Sequence, residues 1–424
     1  MKILLRAFCL LFTFTAAAQD IYIHSGNLVD TKSGKVLGNK TIIISGDKIK
    51  SVEDGFIQPG ASDSLIDLKD MWVLPGLTDM HVHLESETNP SKYLERFTNN
   101  EADDAFNSVG FAEVTLLAGF TTVRDLGGTG VNIALRNAIN KGKINGPRIF
   151  TSGKSLATTG GHADPSNGMN RLLAGDPGPA QGVVNSEEDA RKAVRQRYKN
   201  GADLIKITAT GGVLSVAKSS SNPQFTVEEI RAIVDIAKDY DFHVAAHAHG
   251  DEGMQRAVKG GVTTIEHGTL MSDATMDLMK QYGTYLVPTI TAGKEVSEKA
   301  EIENYYPELV VPKARDIGPK LQSTFGRAYK KGVKIAFGTD AGVFVHGKNA
   351  KEFGYMVEAG MPAMEAIQSA TIEPAKILKM ENELGQVAPG FFADIIAVKE
   401  DPTKNVKTLE EVEFVMKEGK VYKN

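Results

Sequence analysis

His81 and His83 stand two residues apart in V-L-P-G-L-T-D-M-H-V-H-L, residues 73–84, an apolar run with the texture of a short buried strand. On a strand, residues i and i+2 point to the same side, so these two imidazoles can grip one ion together. The other reading is a surface strand end that happens to carry two histidines. The chain holds nine histidines, and the placement of others favours the first reading: His247, His249 and His267, like Lys206 and Asp340, fall within or just past apolar runs. Imidazole nitrogens and a carboxylate suit zinc or a neighbouring divalent ion.

Lys206 is the odd member of this set. Between apolar neighbours in L-I-K-I-T, an ammonium is costly to bury, so it either snorkels outward as a structural lysine or gives up its charge. A neutral amine can react with carbon dioxide to form a carbamate, which is a bridging carboxylate for two metals.

These residues need a frame that gathers strand ends. From residue 72 onward, short apolar runs alternate with amphipathic stretches of helix length, and eight candidate strands are legible: 73–80, 121–124, 148–151, 204–207, 243–246, 263–266, 285–288 and 334–338. That alternation predicts an α/β chain with a (β/α)8 TIM barrel, whose catalytic residues come from the ends of several strands. Between them, Thr226 to Glu229 reads as a capping box opening a helix with Ile230, Ile233, Val234 and Ala237 at helical spacing. A second helix opens at Ser186 and stops at Asn200-Gly201. Stretches 156–182 and 210–224 are rich in Gly, Ser, Thr and Pro without periodicity, which suits long loops at the substrate face of a barrel or simple disorder.

Strand texture with tight turns marks residues 21–70 and returns in F-A-D-I-I-A-V-K and E-F-V-M-K-E-G-K-V-Y near the end of the sequence. The expected division is a barrel over 72–384 and a small β-sandwich domain built from 19–71 and 385–424. His24, in the first strand, and His243, at the barrel end away from chemistry, are expected to be structural.

Residues 1–18 carry Lys2 and Arg6, an apolar run and Ala16-Ala17-Ala18, the pattern of a cleaved secretory signal, so a periplasmic or secreted address is expected. The run is shorter than the ~20 residues a membrane span needs. The only cysteine, Cys9, lies inside this leader, so thiolate ligands, disulfides and cysteine nucleophiles are excluded for the mature chain. The formal charge of −5 falls to −7 once Lys2 and Arg6 are removed, and no basic run argues for nucleic acid or an anionic membrane as partner. A small-molecule or dipeptide substrate fits better, and a homo-oligomer is compatible with all of this.

T-D-M-H-V-H-L, L-I-K-I-T-A-T-G-G, V-A-A-H-A-H-G, I-E-H-G-T and F-G-T-D-A-G, closed by P-G-F-F-A-D-I-I-A-V, resemble the amidohydrolase superfamily in order and across nearly the whole mature chain. Within it, T-G-G-H-A-D at 159–164, A-H-A-H-G, and G-T-D-A-G followed by His346-Gly347 most resemble the metal-dependent Xaa-Pro dipeptidase (prolidase-like) branch. The resemblance implies two divalent ions, zinc above all. His81, His83 and Asp340 would bind the more buried ion and His247 and His267 the more exposed one, with Lys206 bridging them as N6-carboxylysine. It implies hydrolysis of dipeptides or N-acyl amino acids by a hydroxide held between the two ions, which metal binding makes available near neutral pH. Asp340 would carry the proton to the leaving amine, and His249 would hydrogen-bond the tetrahedral intermediate, or else replace His247 as ligand. His162 is a candidate substrate contact or a solvated loop histidine, and His346 supports the site from behind or is structural. Tyr93, Tyr285 and Arg124 are candidates for holding a substrate carboxylate, and Asp125 orients a neighbour or forms a plain ion pair.

Two other functions compete. An imidazolonepropionase-like hydrolase of a cyclic amide or lactone would share the motifs, but such relatives typically use one metal and lack the bridging lysine. A binding protein that kept the fold and lost catalysis is allowed by fold alone, against which every ligand position holds a competent residue.

Overall fold

The computed structural model describes residues 19–424; the expected leader lies outside the described residues. Among those residues no helix is long and apolar enough to cross a membrane.

Four strands open the chain, β1 (Ile21–Asp30), β2 (Lys35–Ser45), β3 (Lys48–Asp54) and β4 (Ser64–Pro75). β2 and β3 are joined by the two-residue turn Gly46-Asp47, where Gly46 takes φ 62°, a conformation that glycine adopts without a Cβ penalty. Eight short parallel strands follow: β5 (Leu77–Val82), β6 (Phe120–Asp125), β7 (Arg148–Thr151), β8 (Ile205–Thr208), β9 (Val244–Ala248), β10 (Thr264–His267), β11 (Tyr285–Val287) and β12 (Lys334–Ile335). The chain ends with β13 (Ile395–Val398), β14 (Phe414–Lys417) and β15 (Lys420–Lys423).

The first four and last three strands make one seven-stranded sheet in the order β15-β14-β13-β4-β1-β2-β3. β4 runs parallel to β1 on one side and antiparallel to β13 on the other, with Val73 opposite Ala397. Hydrogen bonding therefore joins the two chain ends edge to edge in one continuous sheet, where the sequence suggested a sandwich of two. Ile23, Ile42, Leu68, Val73, Ile395 and Phe414 form its buried apolar cluster. β4 ends at Pro75 and β5 begins at Leu77, so the sheet delivers the chain directly to the strand bearing His81.

The eight parallel strands form ladders of three, β5-β6-β7, and five, β8-β9-β10-β11-β12. Backbone bonds cross both gaps. Leu156 N donates to Lys206 O at 2.8 Å on one side; Met80 N to Phe337 O at 2.9 Å and Asp340 N to His81 O at 2.7 Å bridge the other. Gly338 permits the second approach, since a Cβ there would lie 2.3 Å from Val287 Cγ1 and 3.1 Å from His81 N. β12 ends early, at Ile335, because Phe337 N donates to Ser369 O at 2.8 Å instead of extending the ladder.

The helices between the strands start and stop where local chemistry predicts. Val227–Asp239 is capped by Thr226 Oγ1, which accepts from Glu229 N at 3.2 Å, while Glu229 Oε2 accepts from Thr226 N at 2.9 Å. It buries Ile230, Ile233, Val234 and Ala237, each large aliphatic contributing roughly 1.5–3 kcal/mol. Glu187–Asn200 runs from a Ser186 cap to Gly201 at φ 89°. Stretch 156–182 contains the short helix Arg171–Ala174, and Arg96 ties the loop before it by donating to Pro165 O and Asn167 O, both at 2.7 Å. In stretch 210–224 three carbonyls, Gly212 O, Ser215 O and Ala217 O, accept from Lys313 Nζ at 3.3, 2.8 and 2.8 Å.

Candidate active site

Parallel strands present their C-terminal ends on one side, and the chemical residues collect there. His81 lies near the end of β5 and His83 just past it. Lys206 is the second residue of β8, His247 is in β9 with His249 beyond its end, and His267 closes β10. Asp340 follows β12 and bonds back to His81 through its backbone. His267 and Asp340 hold φ of 72° and 62°, a left-handed conformation that costs a non-glycine residue on the order of 1–3 kcal/mol and is concentrated at functional sites.

Each imidazole has one nitrogen committed to the protein. His81 Nδ1 lies 2.9 Å from Glu266 Oε2 and His83 Nδ1 lies 3.0 Å from Gly127 O. His267 Nδ1 and His249 Nδ1 lie 2.7 Å from Thr289 Oγ1 and Thr269 Oγ1, and His247 Nε2 lies 3.1 Å from Gly211 O. This leaves one nitrogen of each ring available, as metal-binding histidines require. His83 Nε2 and His81 Nε2 approach Asp340 Oδ1 to 3.3 and 3.5 Å, and Lys206 Nζ lies 3.4 Å from His81 Nε2.

Burial sets the protonation states. It pushes His81 and His249 down to about 4 and His247 and His267 well below the ordinary histidine range, so all four rings are neutral donors at pH 7. Burial draws Lys206 down to about 8. Burial alone would raise Asp340, but His81 and His83 hold it below the usual carboxylate range. Its Oδ1, fully buried, has no hydrogen-bond partner among the described residues, an unpaired acceptor that a cation would satisfy.

The donor set fits divalent metal. One ligand atom each from His247, His249 and His267 lies within 4.8 Å of the others, and the same holds for His81, His267 and Asp340. These groups floor a cavity of about 260 Å³ whose walls are apolar, formed by Leu126, Val213, Ala292, Val296, Ile317 and Leu321.

Residues 72–422 match the Amidohydrolase family. The chain belongs to that family. An ochratoxinase of Aspergillus niger is 30% identical over 98% of this chain and 89% of its own length. The crystal structure of a Xaa-Pro dipeptidase with methionine bound in its active site is 54% identical, with a TM-score of 0.93 over 96% of this chain and 100% of that one. A prolidase solved with N-methylphosphonate-L-proline is 32% identical, with a TM-score of 0.88 over 96% of this chain and 100% of that one. This amidohydrolase is a hydrolase of amide bonds.

The amidohydrolase gathers every histidine, lysine and aspartate expected of its site. His162 is also there: half-buried, with its Nδ1 shielded from solvent, it stacks on His247 with ring centroids 4.3 Å apart, and Gly212 packs against it so closely that a Cβ would lie 2.1 Å from its Nδ1. It is not a solvated loop residue. His346 sits behind the site, its Nε2 3.1 Å from Ser86 O and its ring stacked on Phe111. His24 bonds Ile57 O at 2.8 Å in the terminal sheet, away from the others.

Two candidates for a substrate carboxylate fall away. Arg124 is fully buried and spends its guanidinium on Glu266 Oε1 at 2.8 Å and Met80 O at 2.7 Å. Tyr285 Oη donates to Glu373 Oε2 at 2.9 Å, and Tyr285 begins β11, at the opposite end from the metal donors. Among the described residues Asp125 pairs with no arginine; its carboxylate accepts from Leu84 N and Asn132 Nδ2 at 3.0 and 2.9 Å and so braces the loop after β5.

Sequence reasoning missed four supporting residues. Glu266 orients His81; Thr289 anchors His267; Asp79 accepts from His81 N, Thr339 Oγ1 and Asn349 Nδ2. Glu352 accepts from Ile290 N, Thr291 N and Thr291 Oγ1 at 2.6–2.8 Å, fixing the segment that carries Thr289. Glu266 had a signal: a carboxylate inside the apolar run T-T-I-E-H is as costly to bury as Lys206, and so demands a partner.

Proposed function

We propose that this chain is an exported binuclear metal-dependent amidohydrolase that cleaves dipeptides, Xaa-Pro dipeptides above all. The observation that carries the reading is the pair of donor sets, His247-His249-His267 and His81-His267-Asp340, that share His267 on the floor of an apolar cavity, in a chain 54% identical to a Xaa-Pro dipeptidase. The apolar walls suit an uncharged side chain on the acyl residue. Export rests on the leader-like residues 1–18.

We read the eight parallel strands, bonded across both gaps, as a closed (β/α)8 barrel over 72–384, with 19–71 and 385–424 as the small β domain. His81, His83 and Asp340 would hold the more buried ion, and His247 and His267 the more exposed one, zinc being suited to such donors. Lys206 would join them as its carbamate. With burial drawing its ammonium to about 8, close to a tenth of the amine is neutral at pH 7; that amine adds to carbon dioxide, releasing one proton and replacing a buried cation with a carboxylate.

Bound divalent ions would supply an activated water and polarise the amide carbonyl. The chain's own groups do the rest. Asp340, kept ionised by His81 and His83, accepts a proton from the attacking water and returns it to the leaving nitrogen. His249 Nδ1 lies 2.7 Å from Thr269 Oγ1; with that hydroxyl as the donor, the ring would carry its proton on Nε2 and offer it to the developing oxyanion. His162, held by its stack on His247 and by Gly212, contacts the substrate from the wall.

Hydrolysis by the metal-loaded mature protein, measured across Xaa-Pro, other dipeptides and N-acyl amino acids, tests this. Xaa-Pro turnover that disappears in Lys206→Ala and Asp340→Asn is expected. If the protein holds two metals and cleaves no linear amide, the dipeptidase reading falls.

A further inference from the structure

Beside the main cavity lies a second chamber of about 290 Å³, sharing His83, Leu214 and Val343 with it. Its lining includes two cationic side chains, Lys92 and Arg96, and no carboxylate. Arg96 is occupied by the carbonyls of Pro165 and Asn167. Lys92 is not: its half-buried ammonium has no hydrogen bond or ion pair among the described residues. Glu85, Glu95 and Asp104 act on it only from a distance, and each has other partners. Glu85 accepts from Thr129 N and Asn132 N, Glu95 from Asn89 Nδ2, and Asp104 from Asn99 Nδ2.

Tyr306 supplies a second observation. It is more than nine-tenths buried, its Oη has no hydrogen-bond partner among the described residues, and it lines the same chamber. The adjacent hydroxyl of Thr88 bonds Tyr305 Oη at 3.0 Å and also borders Tyr306. A buried, unsatisfied donor is costly unless a ligand completes it. An unpaired ammonium, an unpaired hydroxyl and an apolar wall, adjoining a candidate metal ligand, are complementary to a small apolar residue ending in a carboxylate.

We propose that this chamber holds the carboxyl-terminal residue of the substrate. Leu214 and Val343 pack on its ring or side chain, and Lys92 Nζ and Tyr306 Oη donate to its carboxylate. The assignment rests on the dipeptidase reading of the neighbouring site. On this assignment a dipeptide with a free carboxyl-terminus would be preferred over an internal peptide bond, since a chain continuing beyond the carboxylate would meet Lys92 and the wall behind it.

The test is equilibrium binding of two probes, L-proline and L-prolinamide, to the metal-loaded full chain, which does not depend on turnover. Wild type should prefer proline by about 30-fold, the worth of one charge-assisted hydrogen-bonded contact. Lys92→Met should remove most of that preference while changing the affinity for prolinamide less than about threefold, and Tyr306→Phe should remove a smaller part. Melting temperatures of both variants check that they fold. Equal affinity of wild type for the two probes, or a preference undiminished in Lys92→Met, overturns the proposal. Dipeptide turnover is scored separately: discrimination through Lys92 without Xaa-Pro cleavage sinks the dipeptidase reading and keeps the carboxylate pocket, and turnover with undiminished discrimination does the reverse.

Discussion

Replacing Arg124 with methionine isolates what holds His81 in place. Glu266 is wholly buried; its Oε1 accepts from Arg124 Nη2 at 2.8 Å and from Thr264 Oγ1, and its Oε2 accepts from His81 Nδ1 at 2.9 Å. Removing one partner of such a buried pair strands a charge, at a cost of roughly 3–5 kcal/mol. The carboxyl itself gives a second estimate. Burial alone would raise Glu266, yet Arg124 and His81 bring it down to about 2 from 4.5, and a shift of that size corresponds to roughly 3 kcal/mol. Because the folded-state value is depressed, this stability is present above pH 4.5 and is lost as pH falls toward 2. Urea denaturation of the metal-free protein at pH 7 should therefore find Arg124→Met destabilised by about 3–4 kcal/mol, and the gap should narrow on acidification below pH 4.5. Glu266→Gln, which keeps the shape and loses the charge, should weaken metal affinity by roughly 10–100-fold through His81, read by competition with a chelating dye. A gap under about 1 kcal/mol at pH 7, or one that does not change with pH, refutes the reasoning.

Two further perturbations act through the loop over residues 210–224. Gly212→Ala places a methyl 2.1–2.6 Å from the His162 ring, so His162 must leave its stack on His247; kcat/KM should fall by tenfold or more while metal content, measured by elemental analysis, stays at the wild-type level. Lys313→Met removes the donor shared by three loop carbonyls, each bond to a charged group being worth about 1.5–3 kcal/mol before solvent screening; KM should rise more than kcat falls, proteolysis within 211–217 should accelerate, and Lys313→Arg should restore part of both.

Strand-end placement was legible along the chain because it is a local property. The H-x-H pair, Lys206 in an apolar run and the I-E-H and G-T-D segments each announce themselves within about five residues, and the periods of 2 and 3.6 that mark strands and helices are equally short in range. Capping at Thr226 and Ser186 and termination at Gly201 follow the same rule. Partnership is different, because it depends on which distant strands the fold brings side by side. Arg124 and Glu266 are 142 residues apart, so nothing near Arg124 tells whether its charge meets a substrate or a buried carboxylate. The same holds for which nitrogen each histidine commits to the protein, for Glu352 capping the segment that anchors His267 through Thr289, and for β4 joining both chain ends into one sheet. The sequence by itself determined the kinds of donor and their order along the strands, since burying a charge or an imidazole in an apolar run is costly wherever the chain goes. Only the tertiary structure decided their partners, because hydrogen bonds and ion pairs form between groups whose closeness no local pattern encodes.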